Sequence, residues 1–137
     1  MFPVAVVAAN PLNGFSSEEL TRFRNDGFAI VRGMAGRELC ESMKALARAH
    51  LAAGIQPLEY EAQVKYPGSP ASLDAPGGKT VRRLLQACAR DPLFRDWATS
   101  AQVACRLHQL LGDQVELSQS HHNCIMTKNP AFSDARR

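Results

Sequence analysis

The sequence predicts an α+β fold, because capped helical segments alternate with stretches rich in β-branched and aromatic residues. Ser16 and Glu19 have the spacing of a capping box, the signature of a helix start. Leu39, Met43 and Leu46 recur at the i, i+4, i+7 spacing of one buried helix face. The chain has 137 residues, 45% of them hydrophobic and 21% charged, which is typical of one globular domain.

The first half of the chain is predicted to form a helix, a strand and a second helix. The first helix begins at Ser16 and ends at Asn25-Asp26-Gly27, where a glycine can adopt the left-handed cap. Phe28-Ala29-Ile30-Val31 then has the composition of a strand that ends at Gly33. The second helix is predicted over 36–53, with His50 as a hydrogen-bonded packing residue on its apolar face.

The second half is predicted to be an extended segment, a loop, three helical segments and a strand. Residues 55–64 are expected to be extended, and the proline- and glycine-rich stretch from Pro67 to Gly78 is expected to be a lid-like loop. A short helix is predicted at Val81–Cys88, and a second helix begins at Asp91-Pro92 and packs Phe94 and Trp97 inside. A third helix ends at Gly112, and its apolar face consists of Val103, Leu107, Leu110 and Leu111. The last predicted element is one long strand over Val115–Lys128. His108 is expected at the solvated surface.

Charge and cysteine content exclude several function classes. Sixteen Lys and Arg against 13 Asp and Glu give a net charge of +3, and the basic residues are scattered, so no nucleic acid partner is expected. No apolar run approaches the roughly 20 residues that span a bilayer, so no membrane partner is expected either. The four cysteines form no Cys-x-x-Cys pair, and the apolar start lacks a positive n-region, which together favour the cytoplasm.

Two clusters could carry chemistry. The first is Ser120-His121-His122-Asn123-Cys124, in which neighbouring strand residues point to opposite faces. That alternation argues against a metal site built from His121, His122 and Cys124, and a hydrogen-bonded structural role is the simpler interpretation. The second is Arg82-Arg83, which could bind a carboxylate at two points or could be an exposed helix start.

The order of several short motifs resembles the opening of the phytanoyl-CoA dioxygenase family. The resemblance covers nearly the whole chain from Ser16 onward, and it depends on order and spacing more than on any one motif. The matching motifs are Glu18-Glu19-Leu20, Phe23, Asp26-Gly27-Phe28, Ile30-Val31-Arg32-Gly33, Glu59-Tyr60-Glu61, Tyr66-Pro67-Gly68, Arg82-Arg83-Leu84-Leu85, Asp91-Pro92-x-Phe94, Leu110-Leu111-Gly112 and His121-His122-Asn123-Cys124 followed by Lys128 and Pro130.

This resemblance implies a double-stranded β-helix (a jelly-roll) that uses iron(II) and 2-oxoglutarate, with the metal held by two histidines and a carboxylate. It assigns Arg83, His122 and Cys124 to the cosubstrate pocket, although Cys124 stands where a larger thioether is expected. In the complete enzyme it implies a small-molecule or acyl-CoA-like substrate.

The family's His-x-Asp motif is absent from this chain. The sequence therefore predicts a lead segment over 1–15 and, over 16–137, the N-terminal part of such a domain, truncated before its metal site. By itself the chain is expected to hold neither iron nor 2-oxoglutarate and to self-associate through an open strand edge. The alternative is a non-catalytic binding or interaction module built from the same fold.

Overall fold

The structure, a computed structural model, describes residues 13–112, 115–120 and 122–127 of the chain. Helices and strands are mixed along it, as the sequence predicts. In chain order the elements are α1 (Ser17–Asp26), α2 (Arg37–Ala52), β1 (Leu58–Tyr60), α3 (Glu61–Val64), β2 (Val81–Leu85), α4 (Ala87–Arg90), α5 (Pro92–Ala98), α6 (Ala101–Leu111) and β3 (Cys124–Met126).

The predicted helix ends are confirmed where they depend on local capping. The Ser16 hydroxyl accepts a bond from the Glu19 N–H at 3.2 Å, and the Glu19 carboxylate accepts one from the Ser16 N–H at 2.8 Å. Gly27 ends α1 with a φ of 79°, in the left-handed region that glycine adopts without steric cost. Asp91 caps α5 by accepting a bond from the Leu93 N–H at 2.8 Å.

The three strands form one antiparallel sheet in the order β1-β2-β3 among the described residues. Leu58 pairs with Leu84, and Leu84 pairs with Ile125, so these three side chains share a face. Leu84 is completely buried there, and α2 packs against β2. The buried apolar residues of the described chain are Leu58, Ala62, Leu84, Ala87, Cys88, Ala104 and Cys105.

The predicted helix over Val81–Cys88 is wrong, since Val81–Leu85 is the central strand β2 and the helical turn starts only at Ala87. Burial alternates along β2, with Arg82 and Leu84 buried and their neighbours half-buried. The five residues gain backbone partners on both sides from distant segments, which outweighs their local helical pattern. Residues 55–64 are extended only in part, because Glu61–Val64 forms the short helix α3.

Two predicted strands are also wrong or shortened. Residues 28–31 pair with no strand in the part of the chain that the structure describes, and Phe28 and Ile30 are 60% and 67% exposed. The long strand predicted over Val115–Lys128 is limited to Cys124–Met126, where β2 offers a partner. His121 and Lys128 lie outside the described residues.

The predicted loop over 67–78 is confirmed, and hydrogen bonds between its own backbone groups stabilise it. The N–H groups of Ser69, Ala75 and Gly78 donate to carbonyls three residues earlier in the chain. A Cβ atom on Gly78 would lie 2.1 Å from the Ser72 carbonyl oxygen, so only glycine fits that position. At the start of α3, the N–H groups of Glu61 and Ala62 donate to the carbonyls of Thr80 and Gly78, so the end of the loop is bonded to α3.

Two histidines differ from their predictions. His50 is half-buried on α2, as expected for packing, but its buried Nδ1 has no hydrogen-bond partner among the described residues. His108 is half-buried with both ring nitrogens covered, so its prediction as a solvated surface residue is wrong. In the described ranges, none of the helices combines the length and apolar character that crossing a membrane requires.

Candidate functional site

Arg82 and Arg83 do not converge on one ligand, because strand alternation places them on opposite faces of β2. Arg82 forms a buried ion pair with Glu61, 3.2 Å from Nη1 to Oε2, and the side chains are 10% and 8% exposed. The hydroxyl of Tyr66 donates to the same Glu61 oxygen at 2.6 Å, and its ring lies 5.0 Å from the Arg82 guanidinium carbon. Arg82 is therefore a structural residue that fastens the start of the 67–78 loop to the sheet.

Arg83 lies on the other face, where it pairs with Glu59 across the two strands. Its Nη1 is 3.2 Å from the Glu59 Oε2, and the two side chains are 20% and 21% exposed. The Arg83 Nε is buried and has no hydrogen-bond partner among the described residues. One donor of the guanidinium thus remains available to a further acceptor.

Cys124 shares this face with Arg83. Leu85 pairs with Cys124 and Arg83 pairs with Met126, so Arg83 and Cys124 are diagonal neighbours on adjacent antiparallel strands. Such neighbours have Cα atoms about 7–8 Å apart, within reach of a long side chain. We call the surface formed by Glu59, Arg83, Leu85, Cys124 and Met126 the Arg83 face.

His122 precedes β3 in an exposed turn, so it does not continue the strand as predicted. It nevertheless meets Cys124 in a cleft of about 430 Å³, which we call the β3 cleft. The cleft is lined by Met43, Ala87, Cys88, Phe94, Trp97, Ala98, Leu117, Ser118, His122, Asn123, Cys124 and Ile125. The structure therefore brings His122 and Cys124 together at this cleft, whereas Arg83 joins Cys124 only on the Arg83 face.

Asn123 positions this end of β3. Its Oδ1 accepts a bond from the Cys88 N–H at 3.1 Å, and its Nδ2 donates to the Ser118 carbonyl at 2.9 Å. Its carbonyl also accepts a bond from the Ala87 N–H at 3.1 Å. Sequence reasoning named Asn123 only as a member of the Ser120–Cys124 cluster and gave it no role, although asparagine is a common partner for free helix N–H groups.

Arg90 is a second positioning residue that sequence reasoning missed. Its guanidinium donates to the carbonyls of Leu85 at 2.7 Å and Ile55 at 3.0 Å, and also to the Pro57 carbonyl. Burial lowers the pKa of Arg90 from its ordinary value. One side chain thereby joins the end of β2 to the segment that leads into β1.

Cys88 in the β3 cleft is a poor nucleophile in this arrangement. Burial raises the pKa of the Cys88 thiol, and the charge of Arg95 opposes that rise only in part. Across the described residues, no three or more His, Cys, Asp or Glu side chains cluster closely enough to hold a metal ion. The β3 cleft can bind a ligand by shape, and the Arg83 face offers one cationic contact.

No protein-family model, curated protein or solved structure matches this chain.

Proposed function

We propose that this chain forms the helical layer and first strands of an iron(II)- and 2-oxoglutarate-dependent dioxygenase of the phytanoyl-CoA dioxygenase family, with the Arg83 face turned toward 2-oxoglutarate. The observation that supports this proposal best is the shared face of Arg83 and Cys124, two residues that the resemblance assigns to the cosubstrate pocket. On this view the antiparallel sheet is the beginning of a double-stranded β-helix. The acyl-CoA-like substrate stays a prediction.

The Arg83 side chain fits a carboxylate ligand. A guanidinium presents a planar pair of donors that matches a carboxylate at two points. The buried Nε of Arg83 offers one donor without a partner, while Glu59 engages the far end of the group. A 2-oxoglutarate carboxylate would contact Nε and compete with Glu59 for Nη1, so Glu59 tunes how strongly Arg83 holds it.

The described residues do not fit iron(II). Iron in this family requires two histidines and a carboxylate at facial spacing, and the described ranges hold no such group. An anaerobic calorimetric titration of the chain with iron(II) is expected to give no stoichiometric binding at low micromolar concentration.

The test is a titration of the chain with 2-oxoglutarate, in which binding is measured by the NMR chemical shifts of labelled arginine side chains. The sequence by itself predicts no bound 2-oxoglutarate, but the buried Arg83 Nε is a donor without a partner among the described residues, so we now expect weak, measurable binding that shifts the Arg83 Nε signal. Arg83→Ala should weaken this binding about ten- to hundredfold, the range for loss of a hydrogen bond to a charged group. Arg48→Ala, which removes an exposed arginine on α2, is the matched control and should change nothing.

A second variant makes the result independent of folding defects. Glu59→Gln keeps the shape of the side chain but removes its charge, so it should free Arg83 and strengthen 2-oxoglutarate binding. Equal binding by the wild type, Arg83→Ala and Glu59→Gln would contradict the proposal. In that case the Arg83–Glu59 pair would be an ordinary cross-strand ion pair without a role in binding.

The apolar β3 cleft favours a second candidate, a non-catalytic module that binds an apolar ligand. Trp97 is the single tryptophan of the chain and lines this cleft, so its fluorescence reports on an occupant. A change of Trp97 emission with a neutral aromatic probe, together with no response of Arg83 to 2-oxoglutarate, would favour the module. The reverse pattern would favour the oxygenase.

A further inference from the structure

Residues 28–31 form an exposed segment that has the composition of a strand but pairs with no strand in the described part of the chain. Phe28 and Ile30 are 60% and 67% exposed, although both side chains are large and apolar. The four residues form neither a helix nor a turn, and their backbone groups make no hydrogen bond to another described residue. The segment therefore presents apolar side chains together with backbone donors and acceptors that a second strand can use.

Two glycines in the left-handed conformation bound this segment. Gly27 has a φ of 79° where α1 ends, and Gly33 has a φ of 68° before the chain enters α2. No residue between them has a positive φ. A Cβ atom on either glycine would meet no atom within 4 Å apart from its neighbours along the chain. The surroundings of the segment are therefore open among the described residues, and a second strand can approach without displacing them.

The order of side chains in this part of the chain is complementary to itself when two copies run antiparallel. Phe28 and Ile30 share one face of an extended strand, with Asp26 just before them and Arg32 just after them. A register that sets Ala29 opposite Ala29 of the second copy also sets Phe28 opposite Ile30, and it does so twice by two-fold symmetry. Pairs of an aromatic and a β-branched side chain are favourable across antiparallel strands.

The charges at the two ends select the same arrangement. The register centred on Ala29 brings Asp26 of each copy to the end where Arg32 of the other copy lies. Neither Asp26 nor Arg32 has an ion pair among the described residues. A parallel arrangement would set like charges together, and a shift by one residue would move the paired side chains to opposite faces.

We propose that residues 28–31 bind the same segment of a second copy of this chain, as a two-stranded antiparallel pair centred on Ala29. Pairing gives partners to backbone groups that have none among the described residues, and it removes Phe28 and Ile30 of both copies from water on one face. The contact uses no residue of β1, β2 or β3, so it is separate from association through the edge of the sheet. Because each strand is short, the dimer is weak, and a covalent trap is the appropriate way to detect it.

Disulfide trapping tests both the contact and its register. All variants carry Cys40→Ser, which removes an exposed native cysteine. Residues directly opposite each other in antiparallel strands lie within the Cα separation of a disulfide. Ala29→Cys should therefore form a linked dimer about tenfold or more faster than Leu111→Cys, whose position on α6 is 69% exposed and measures chance collision.

Phe28→Cys and Ile30→Cys should each link slowly alone, and an equal mixture of the two proteins should link as fast as Ala29→Cys. Equal rates for Ala29→Cys and Leu111→Cys would overturn the proposal. It would also be overturned if Phe28→Cys alone linked as fast as the mixture, or if Ala29→Cys were protected from alkylation without forming a dimer, because another part of the same chain would then cover the segment.

The charged residues give an independent readout in the Ala29→Cys background. Asp26→Arg alone and Arg32→Asp alone should each slow the linking by about threefold or more, since like charges would then face each other across the pair. The double variant Asp26→Arg with Arg32→Asp restores opposite charges and should recover the rate. Arg48→Asp, which makes the same change of charge at an exposed position of α2, is the control and should leave the rate unchanged. Failure of the double variant to recover the rate would overturn the proposal.

Discussion

At the scale of single residues, Arg90 shows how one side chain can hold two strand ends together. Its guanidinium serves three backbone carbonyls, those of Leu85, Ile55 and Pro57. A lysine has one donor centre and cannot reach all three. We expect Arg90→Lys to lower the free energy of unfolding by about 1 kcal/mol, because the part-buried contacts to the Leu85 and Pro57 carbonyls would be lost.

Chemical denaturation measures this effect, and Arg48→Lys is its control. Arg48 is an exposed residue of α2, so its replacement should stay within about 0.5 kcal/mol of the wild type. Equal stability of the two variants would mean that water replaces the Arg90 contacts without cost.

The capping box of α1 gives a pH dependence at the residue scale. The bond from the Ser16 N–H lowers the pKa of Glu19 below its ordinary value of 4.5, with further help from the Ser16 hydroxyl. A depressed carboxyl pKa stabilises the folded state fully above the ordinary value, and this contribution is lost as the pH falls through the folded value. We therefore expect the helical content of α1 to decline in that acid range, as followed by NMR titration of Glu19.

Glu19→Gln is the control for this titration. Glutamine can accept the same bond from the Ser16 N–H but does not titrate, so the acid-dependent loss at α1 should disappear. A Glu19 that titrates at the ordinary value in the wild type would contradict the prediction.

At the scale of elements, Asn123 couples β3 to α4. It accepts the Cys88 N–H and donates to the Ser118 carbonyl, so it ties the helical turn and the preceding segment to the strand. Asn123→Ala removes both bonds and should cost about 1–2 kcal/mol of stability. Hydrogen exchange at the Cys88 amide should accelerate by the factor that corresponds to this free energy, about five- to thirtyfold.

Asn123→Asp separates the two bonds. Aspartate keeps the acceptor for the Cys88 N–H and loses the donor to Ser118, so it should show little acceleration at the Cys88 amide. Equal exchange rates in Asn123→Ala and the wild type would show that Asn123 does not hold the α4 turn.

At the scale of the whole molecule, the sheet predicts self-association. β3 is an outer strand of the sheet among the described residues, and Met126 on it is 51% exposed. An outer strand offers backbone groups to another copy, and a lysine on it opposes such pairing. We expect the average mass from light scattering to rise with protein concentration and Met126→Lys to suppress the rise.

Leu111→Lys is the control for self-association, since Leu111 is 69% exposed and belongs to α6 rather than to a strand of the sheet. It should leave the rise in mass unchanged. A single monomeric mass at every concentration would contradict the prediction, and an equal effect of both lysines would point to general solubility rather than to strand pairing.

What the sequence determined by itself is local. The capping box of Ser16 and Glu19, the cap at Asp91 and the end of α6 at Gly112 all depend on residues a few positions apart, and each was predicted correctly. The resemblance named Arg83 and Cys124, but their common face could not be predicted, because Val81–Leu85 was expected to be helical.

The tertiary structure alone decided which segments pair. β2 became a strand because β1 and β3 provide partners more than 20 residues away on each side, while residues 28–31, with a better strand composition, pair with no described strand. Because β2 is a strand, Arg82 and Arg83 lie on opposite faces of the sheet. Arg82 is buried against Glu61 on one face, and Arg83 lies on the other. Backbone pairing is a property of two segments at once, so composition and periodicity within one segment do not specify it.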